Sequence, residues 1–353
     1  ERPHNERPHN ERPHNERPYD ERPHGERARG PPAMIFRHLR QAGVLGMNAR
    51  NADLVMRYNR RQLYPLVDDK LRTKREAELR GVPVPPLYGA LSAPHDIRRL
   101  PEIVADHPAF VVKPAHGSGG DGILVFDSHR NDRYWTVSGR IMAWSELQHH
   151  LANTLNGQYS LGGLPDKVMV EYRVQFHPLF DAVSYQGVPD IRIIVFQGYP
   201  VMAMARLPTR ASQGKANLHQ GAVGVGIAID SGTTLHGVVG NDGIREHPDT
   251  GTPVVGIAVP DWEQMLLMAA RAYELTGLGY LGVDIVLDAH RGPLMLELNA
   301  RPGLNIQIAN GEGLVPRLKT IEELVEPGLA ADERVAIARR TFGCRQSRTD
   351  ESA

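Results

Sequence analysis

Short apolar runs separated by polar turns fill most of the chain from residue 109 onward. The runs are rich in Val, Ile, Leu and Phe and are bounded by Gly, Pro, Asp and Asn, a pattern typical of β-strands. Several consecutive runs are joined by short turns as hairpins. We predict strands at residues 110–112, 123–126, 168–170, 191–196, 201–205, 223–229, 233–239, 283–287 and 293–298.

Helical periodicity marks two stretches. Residues 262–276 carry apolar side chains every three or four positions, on one face of a helix: Trp262, Met265, Leu266, Ala269 and Tyr273. Asp261 with Gln264 resembles a capping box at the start of this helix, and Gly277 is expected to end it. A second helix is predicted over residues 68–79.

Composition divides the chain into four parts. Residues 1–30 repeat the pentapeptide Glu-Arg-Pro-His-Asn with variations and contain no large aliphatic side chain, so we expect a disordered or polyproline-like tail. Residues 31–108 predict a small N-terminal domain, and residues 109–325 the main β-rich domain. Residues 326–353 predict a weak helix and a polar tail.

Charge and apolar content argue against some classes of protein. The chain has 353 residues with 41 basic and 41 acidic side chains, so no basic excess suggests a nucleic-acid partner. No apolar run approaches the roughly 20 residues that span a bilayer, and the charged, proline-rich beginning does not resemble a secretory signal. Cys344 is the single cysteine, which favours the reducing cytoplasm.

A glycine-rich segment lies between two predicted strands. Residues 116–122 contain the spacing G-x-G-x-x-G, but a dinucleotide-binding loop must lead into a helix, and here a strand follows. A Walker loop is excluded because Lys113 precedes the glycines instead of following them. Protein kinases place the glycine loop before the lysine, which is the reverse order.

The segment therefore predicts a hairpin tip, named here the glycine hairpin (residues 117–122). Because glycines lack a Cβ atom, their backbone N–H groups can approach phosphate oxygens, and Lys113 can add a fixed cation. The alternative is a glycine-rich turn beside a surface lysine. We predict phosphate binding by Gly117, Ser118, Gly119 and Gly120.

Three oxygen-bearing side chains lie on two apolar strands near the end of the β-rich domain. Asp284 interrupts an apolar run, which is costly unless the carboxylate is paired or metal-bound. Glu297 and Asn299 are two residues apart and so project from one face of a strand. If the two strands are neighbours, the three side chains can hold Mg²⁺. The alternative is that the acids lie on the solvent face of an edge hairpin.

The order of these motifs resembles the ATP-grasp superfamily. Within it the chain is most similar to the alpha-L-glutamate ligase-like proteins, relatives of the ribosomal-protein glutamate ligases. The resemblance runs from about residue 43 to residue 313 and excludes the pentapeptide tail. It rests on five segments in fixed order: Leu45-Gly46-Met47-Asn48, Tyr64-Pro65-Leu66-Val67-Asp68-Asp69-Lys70, Val111-Val112-Lys113-Pro114, Gly282-Val283-Asp284 and Glu297-Leu298-Asn299-Ala300-Arg301-Pro302-Gly303.

The resemblance implies an α+β protein with the ATP-grasp fold, in which two α+β lobes of the β-rich domain enclose ATP. Lys70 and Lys113 would contact the phosphates, with Lys74 as an alternative to Lys70, and the glycine hairpin would close over them. Glu171 and Tyr172, after the strand at 168–170, would form the hinge that recognises adenine.

The same resemblance assigns the reacting groups. Mg²⁺, or Mn²⁺ in its place, would be held by Asp284, Glu297 and Asn299. The arginines Arg192 and Arg206 lie on one predicted hairpin, and either can be a solvated strand residue. Three residues would act on the transferred phosphoryl group: Arg192 beside it, Asn217 in the loop facing the γ-phosphate and Arg301 where the acyl phosphate forms.

The function implied is that of an ATP- and Mg²⁺-dependent, ADP-forming carbon–nitrogen ligase. It would convert a carboxylate into an acyl phosphate and join it to an amine, for example by adding glutamate or another amino acid to a small-molecule or peptide acceptor. Two alternatives stay open: an ATP-binding regulatory or scaffold protein without turnover, and an ATP-grasp phosphotransferase. The resemblance also allows a homo-oligomer in the cytoplasm.

Overall fold

The computed structural model describes residues 38–39, 41–117 and 119–343. The predicted pentapeptide tail, Ser118 and Cys344 lie outside the described residues. Within them, the structure is α+β, with two antiparallel sheets.

The first sheet has six strands in the order β1-β6-β2-β3-β4-β5. Its strands are β1 (Leu87–Leu91), β2 (Phe110–Pro114), β3 (Leu124–Arg130), β4 (Arg133–Thr136), β5 (Ile141–Ala143) and β6 (Val168–Tyr172). Strand β1 precedes residue 109, where the β-rich domain was predicted to begin, and it pairs antiparallel with β6. The four-part division of the chain stays a prediction.

The second sheet has seven strands in the order β11-β10-β9-β8-β7-β12-β13. Every strand predicted from the apolar runs is present, with ends that differ by a few residues. The strands are β7 (Asp190–Phe196), β8 (Tyr199–Leu207), β9 (Val223–Ile227), β10 (Thr234–Val239), β11 (Asp242–Ile244), β12 (Tyr280–Asp288) and β13 (Gly292–Asn299).

Helices flank these sheets. The α-helices are α1 (Met47–Ala49), α2 (Met56–Tyr58), α3 (Pro65–Asp68), α4 (Lys70–Leu79), α5 (Leu100–Ile103), α6 (Trp144–Leu155), α7 (Trp262–Thr276), α8 (Ile306–Asn310), α9 (Val315–Leu324) and α10 (Ala331–Phe342). A π-helical segment, Arg50–Val55, joins α1 to α2. Short 3₁₀ turns occur at Arg61–Leu63, Pro94–Arg99, Leu161–Gly163, Pro178–Val183 and Leu218–Gln220.

The seven-stranded sheet is covered by helices, which explains its continuous apolar runs. Helix α7 packs on β7, β12 and β13, while α10 packs on α7 and β8. All nine residues of β12 are buried, as expected for a strand that has no solvent-facing side. Asp284 lies in the middle of this strand, so its carboxylate must be satisfied by other protein groups or by a ligand.

Two helix starts differ from the sequence prediction. Helix α4 begins at Lys70 because Asp69 caps it: its Oδ1 accepts hydrogen bonds from the N–H groups of Leu71 and Arg72, each at 3.0 Å. The capping box predicted for α7 is wrong. Asp261 has a left-handed backbone (φ 53°), and its side chain makes no capping hydrogen bond, which requires an extended backbone. Gly277 ends α7 as predicted, with φ 69°.

None of the helices in the described ranges is long and apolar enough to cross a membrane.

Candidate active site

A row of charged side chains crosses four neighbouring strands of the second sheet. Arg206 on β8 pairs in register with Asp190 on β7. Two residues further along β7, Arg192 pairs with Asp284 on β12, which in turn pairs with Glu297 on β13. Because side chains at paired and alternate positions share one face of a sheet, these five groups can contact one another. The row therefore results from strand pairing and not from closeness in sequence.

Asp284 is the centre of this row. Its carboxylate is 2% exposed and accepts hydrogen bonds from Arg192 Nε at 2.7 Å and Arg192 Nη2 at 2.6 Å, a bidentate pair. Arg206 Nη2 donates a further bond at 2.8 Å. Burial alone would raise the pKa of Asp284, but the two guanidinium groups outweigh burial and hold the pKa well below its ordinary value. Asp284 is therefore ionised.

A β-bulge places Glu297 beside Asp284. The pairing of β12 with β13 shifts by one residue, so that Asp284 faces Glu297 while Ile285 faces Met295. The extra residue re-aims the strand locally, a common feature next to active sites. Asn299 Nδ2 then lies 3.2 Å from Asp284 Oδ2 and 3.3 Å from Glu297 Oε1. The three side chains predicted to hold a metal are thus brought together.

Their chemistry fits Mg²⁺. Two carboxylates and one amide are hard oxygen donors, and Glu297 is one-third exposed on the open side of the group. No cluster of three or more His, Cys, Asp or Glu side chains with metal-binding geometry occurs among the described residues. Two carboxylates with waters suffice to hold Mg²⁺, and the Asn299 oxygen is available as a third protein ligand. The metal-binding role of the three residues stays a prediction.

Arg206 and Asp190 form a second buried pair at the end of the row. Arg206 Nε lies 2.5 Å from Asp190 Oδ1, and its Nη2 also contacts Asp190 Oδ2. Burial raises the pKa of Asp190 to about 6; Arg206 opposes this shift and the nearby charge of Asp284 adds to it. From the sequence, Arg206 is also compatible with a solvated strand residue, and nothing marks Asp190 as functional. The signal in the sequence was that Asp190 is two residues from Arg192 on one strand of a predicted hairpin and that Arg206 lies on the other strand.

A second ionic cluster lies in the six-stranded sheet. Glu171 is buried and pairs with Lys113 at 2.5 Å and, through its other oxygen, with Lys74. Burial alone would raise the pKa of Glu171, but the two ammonium groups lower it overall. Burial lowers the pKa of Lys74 to about 8, an effect that Glu171 opposes and the charge of Lys113 adds to. This triad (Lys74, Glu171 and Lys113) carries one net positive charge.

Lys70 and Lys74, on one face of α4, contact different partners. Lys70 Nζ donates to the Gly117 carbonyl at 2.5 Å and lies 3.5 Å from Glu297 Oε2. Lys74 points to Glu171 and the Pro85 carbonyl instead. Lys70 therefore links the glycine hairpin to the acidic side chains, and Lys74 belongs to the buried triad.

A small cleft separates α4 from β13, and both lysines border it. Five of the nine residues that line it are apolar. It is lined by Val67, Lys70, Thr73, Lys74, Val84, Met295, Leu296, Glu297 and Leu298.

The glycine hairpin has a fixed base and an open tip. At the base, the buried Asp166 carboxylate accepts hydrogen bonds from the backbone N–H of His116 and the hydroxyl of Ser160. Gly119 and Gly120 have positive φ angles of 67° and 83°, a backbone conformation that favours glycine. At the tip, Asp121 lies 3.4 Å from Lys215 of the loop after β8. The hairpin therefore touches both lobes.

Three other predicted residues contact groups that do not belong to the charged row. Asn217 caps the turn Leu218–Gln220, its side-chain oxygen accepting from the N–H of His219 at 3.0 Å. The Arg301 guanidinium lies over the Tyr64 ring, 5.1 Å from its centre. Tyr172 lies under the guanidinium of Arg291 at 4.8 Å. Their predicted roles in phosphoryl transfer and adenine recognition stay predictions.

These features define a protein of the ATP-grasp type. They are the two sheets that form its lobes, the glycine hairpin, and the acids Asp284 and Glu297 next to Lys70. The model of the sugar-transfer associated ATP-grasp family matches residues 49–323, and the chain belongs to this family. The resemblance to the ATP-grasp superfamily that the sequence motifs predicted is thereby confirmed.

The names of curated relatives confirm the predicted similarity to alpha-L-glutamate ligase-like proteins. A probable alpha-L-glutamate ligase of Pseudoalteromonas translucida (strain TAC 125) is 24% identical over 277 residues, which is 78% of this chain and 67% of the relative. A probable alpha-L-glutamate ligase of Pseudomonas putida (strain GB-1) is 25% identical over 291 residues, covering 82% of this chain and 71% of the relative.

Solved structures show more distant similarity. The ATP-grasp ligase PsnB complexed with minimal precursor is 15% identical with a TM-score of 0.40; the match covers 80% of this chain and 63% of PsnB. This chain thus spans less than two thirds of the length of PsnB. A RimK domain protein ATP-grasp from Sphaerobacter thermophilus DSM 20745 is 14% identical with a TM-score of 0.43, covering 74% and 70% of the two chains.

Proposed function

We propose that this protein is an ATP- and Mg²⁺-dependent ligase that joins a carboxylate to an amine and releases ADP and phosphate. The observation that carries the proposal is the convergence of Asp284, Glu297 and Asn299 beside Arg192 and Lys70. Membership of the ATP-grasp family and relatives named probable alpha-L-glutamate ligase support it. We propose glutamate, or another amino acid, as one of the two substrates.

The nucleotide phosphates would lie next to the cleft between α4 and β13, beside Lys70 and the N–H groups of the glycine hairpin. The triad would add positive charge, with Lys113 exchanging Glu171 for a phosphate oxygen. Mg²⁺ held by the two acids and Asn299 would neutralise phosphate charge.

The reaction would then proceed in two displacements. A carboxylate oxygen attacks the γ-phosphorus, the bond to the ADP oxygen breaks, and an acyl phosphate forms. The amine nitrogen attacks the acyl carbon, phosphate leaves, and the amine loses a proton. In both steps Arg192 and Arg301 would stabilise negative charge on the transferred group, which is electrostatic catalysis without a covalent enzyme intermediate.

A substrate screen tests this proposal. Purified protein is incubated with Mg²⁺ and ATP together with pools of acids and amines, and release of ADP and phosphate is measured. The amine pools include amino acids, short peptides and amino sugars, since the family is described as sugar-transfer associated. We expect release that needs both an acid and an amine.

Matched variants control this screen. Glu297→Gln removes one carboxylate of the site and is expected to lower turnover on the order of 10²-fold or more, as for lost electrostatic groups in other active sites. Glu326→Gln changes an exposed glutamate outside the site and is expected to keep full turnover. ATP consumption that needs only an acid would indicate a phosphotransferase. Mg²⁺-dependent binding of ATP without turnover would indicate a regulatory protein.

A further inference from the structure

The chain is held firmly at His116, where it enters the glycine hairpin. The Asp166 carboxylate, which is fully buried, accepts a hydrogen bond from the His116 backbone N–H at 3.0 Å and contacts His116 Nδ1 at 2.7 Å. The Ser160 hydroxyl and the backbone N–H of Lys167 donate to the same carboxylate at 2.8 Å and 2.7 Å. Because each of these donors would lose its partner without Asp166, the carboxylate fixes the start of the hairpin.

Asp166 also determines where the His116 ring carries a proton. Burial alone would raise the pKa of Asp166, but hydrogen bonds from His116, Lys167 and Ser160 outweigh burial and lower the pKa overall, so the carboxylate is ionised. An ionised carboxylate only accepts hydrogen bonds, and His116 Nδ1 must therefore be the donor. This nitrogen is consequently not available as a general base.

The segment that leads into the hairpin is joined to the start of α4 at three points. The Lys70 backbone N–H donates to the Ala115 carbonyl at 3.0 Å, and Lys70 Nζ donates to the Gly117 carbonyl at 2.5 Å. Between these two contacts, His116 Nε2 lies 3.7 Å from Oδ2 of Asp69, the residue that caps α4. The His116 ring thus lies between the fixed start of the hairpin and the helix end that carries Lys70.

The other end of the hairpin is held by a different histidine. His150 Nε2, on α6, lies 3.0 Å from the Gly122 carbonyl, and the Tyr159 ring lies beside the same glycine. In the described part of the chain, neither of these side chains forms a hydrogen bond or an ion pair with Lys70. Both histidines therefore hold the hairpin, but only His116 also lies against the start of α4.

We propose that His116 and Asp166 are positioning residues, which hold the glycine hairpin and Lys70 in one arrangement so that the hairpin N–H groups and the Lys70 ammonium bind the same nucleotide phosphates. Donors that are fixed in advance need no reorganisation when the ligand binds. The inference rests on the proposed function, since it needs nucleotide phosphates beside Lys70. Its consequence is that His116 and Lys70 contribute to nucleotide affinity as a unit.

The first test measures ADP affinity of the full chain by calorimetry in one Mg²⁺-containing buffer. His116→Ala is expected to weaken ADP binding about tenfold, the scale of one hydrogen bond to a charged group. His116→Asn keeps an N–H donor near the position of Nδ1 and should stay within about threefold of the wild type. His95→Ala is the matched control, because the His95 side chain is 81% exposed, and it should bind ADP like the wild type.

The second test distinguishes positioning from a general loss of structure. ADP affinity is measured for Lys70→Met alone and combined with His116→Ala or His150→Ala. His116→Ala should cost about tenfold in the wild type but less than about threefold once Lys70 is Met, because its effect depends on Lys70. His150→Ala should cost the same in both backgrounds. Equal costs of His116→Ala in both backgrounds would show a merely structural role and overturn the inference.

The two tests also distinguish this inference from the proposed function. If Lys70→Met weakens ADP binding while His116→Ala does not, the positioning role is wrong and the proposed nucleotide site stands. If the wild type does not bind ADP, the proposed function fails together with the inference. Thermal unfolding checks that each variant is folded. If His116→Ala is not, His116→Gln replaces it, since its amide reaches the place of Nε2 and leaves Asp166 without the Nδ1 donor.

Discussion

At the residue scale, the buried charges of this protein are arranged as triads rather than simple pairs. Glu171 has two lysine partners, and Asp284 has two arginine partners. Removing Glu171 therefore leaves two like charges uncompensated, whereas removing one of its lysines leaves a balanced pair. The two kinds of substitution should differ strongly in their effect on stability.

Glu171→Gln is expected to destabilise the protein by about 3–5 kcal/mol, because it leaves Lys74 and Lys113 buried without their anion. Lys74→Met is expected to cost less than about 1.5 kcal/mol, because Glu171 keeps Lys113 and the new side chain has similar volume. Urea unfolding gives both values. A larger loss for Lys74→Met than for Glu171→Gln would contradict the shared-anion description.

The lowered pKa of Lys74 predicts a pH dependence of stability. Its pKa is about 8 in the folded protein against an ordinary value of 10.5, so between these values the unfolded chain binds more protons than the folded one. Stability from this group therefore rises as pH increases from about 8 to 10.5, by up to ~1.4 kcal/mol per pH unit. The difference in unfolding free energy between wild type and Lys74→Met should increase over this window. A flat difference would show that Lys74 titrates normally.

Two buried tyrosine hydroxyls lack a hydrogen-bond partner in the described part of the chain, Tyr199 Oη and Tyr280 Oη. Removing an unsatisfied buried hydroxyl costs no protein hydrogen bond, so Tyr199→Phe should be neutral or stabilise by up to about 1 kcal/mol. Tyr58→Phe is the control, because its hydroxyl contacts Glu322 at 2.5 Å and its loss should destabilise by about 0.5–1.5 kcal/mol. Thermal and urea unfolding measure both, and a destabilised Tyr199→Phe would imply a missing partner.

At the element scale, the glycine hairpin combines a tightly packed base with a loosely packed tip. A Cβ at Gly122 would lie 2.5 Å from the Tyr159 ring, whereas a Cβ at Gly119 would meet nothing within 4 Å. Both glycines have similar positive φ angles, 75° and 67°. Comparing alanine substitutions at these two glycines therefore distinguishes the cost of backbone strain from the cost of a steric clash.

Gly119→Ala should cost about 1 kcal/mol through strain alone. Gly122→Ala should cost roughly 1–3 kcal/mol more, because the ring of Tyr159 must move. Chemical denaturation compares the two variants, and hydrogen exchange of the hairpin should increase only in Gly122→Ala. Equal losses would mean that the base of the hairpin is not packed as described.

At the scale of the whole molecule, each sheet has its own hydrophobic core. One core contains Phe110, Phe126 and Leu147 in the six-stranded sheet, and a much larger one contains Ile193, Leu266 and Val283 around the seven-stranded sheet. The proposed nucleotide site lies where residues from the two sheets meet. A ligand there would bind only when both lobes are folded.

The smaller core should open at lower free energy than the larger one. In native-state hydrogen exchange we expect amides of β2 and β3 to exchange through a less costly opening than amides of β7 and β12. Saturating Mg²⁺ and ADP should raise the opening free energy of β2 and β3 by about 2.7 kcal/mol at 100 times the dissociation constant. Glu297→Gln is expected to weaken this stabilisation by ligand. Identical opening free energies for the two sheets without ligand would contradict the description of two separate cores.

The sequence by itself determined nine of the strands, helix α7 with its glycine end, and the shared strand face of Glu297 and Asn299. These depend on local periodicity, turn residues and alternation along a strand, which adjacent residues dictate. Tertiary structure alone decided that Lys74 and not Lys70 joins Glu171, that Asp190 anchors Arg206, and that Asp261 does not cap α7. These depend on where α4 packs and how β8, β7 and β12 pair, and such contacts join residues far apart in the chain.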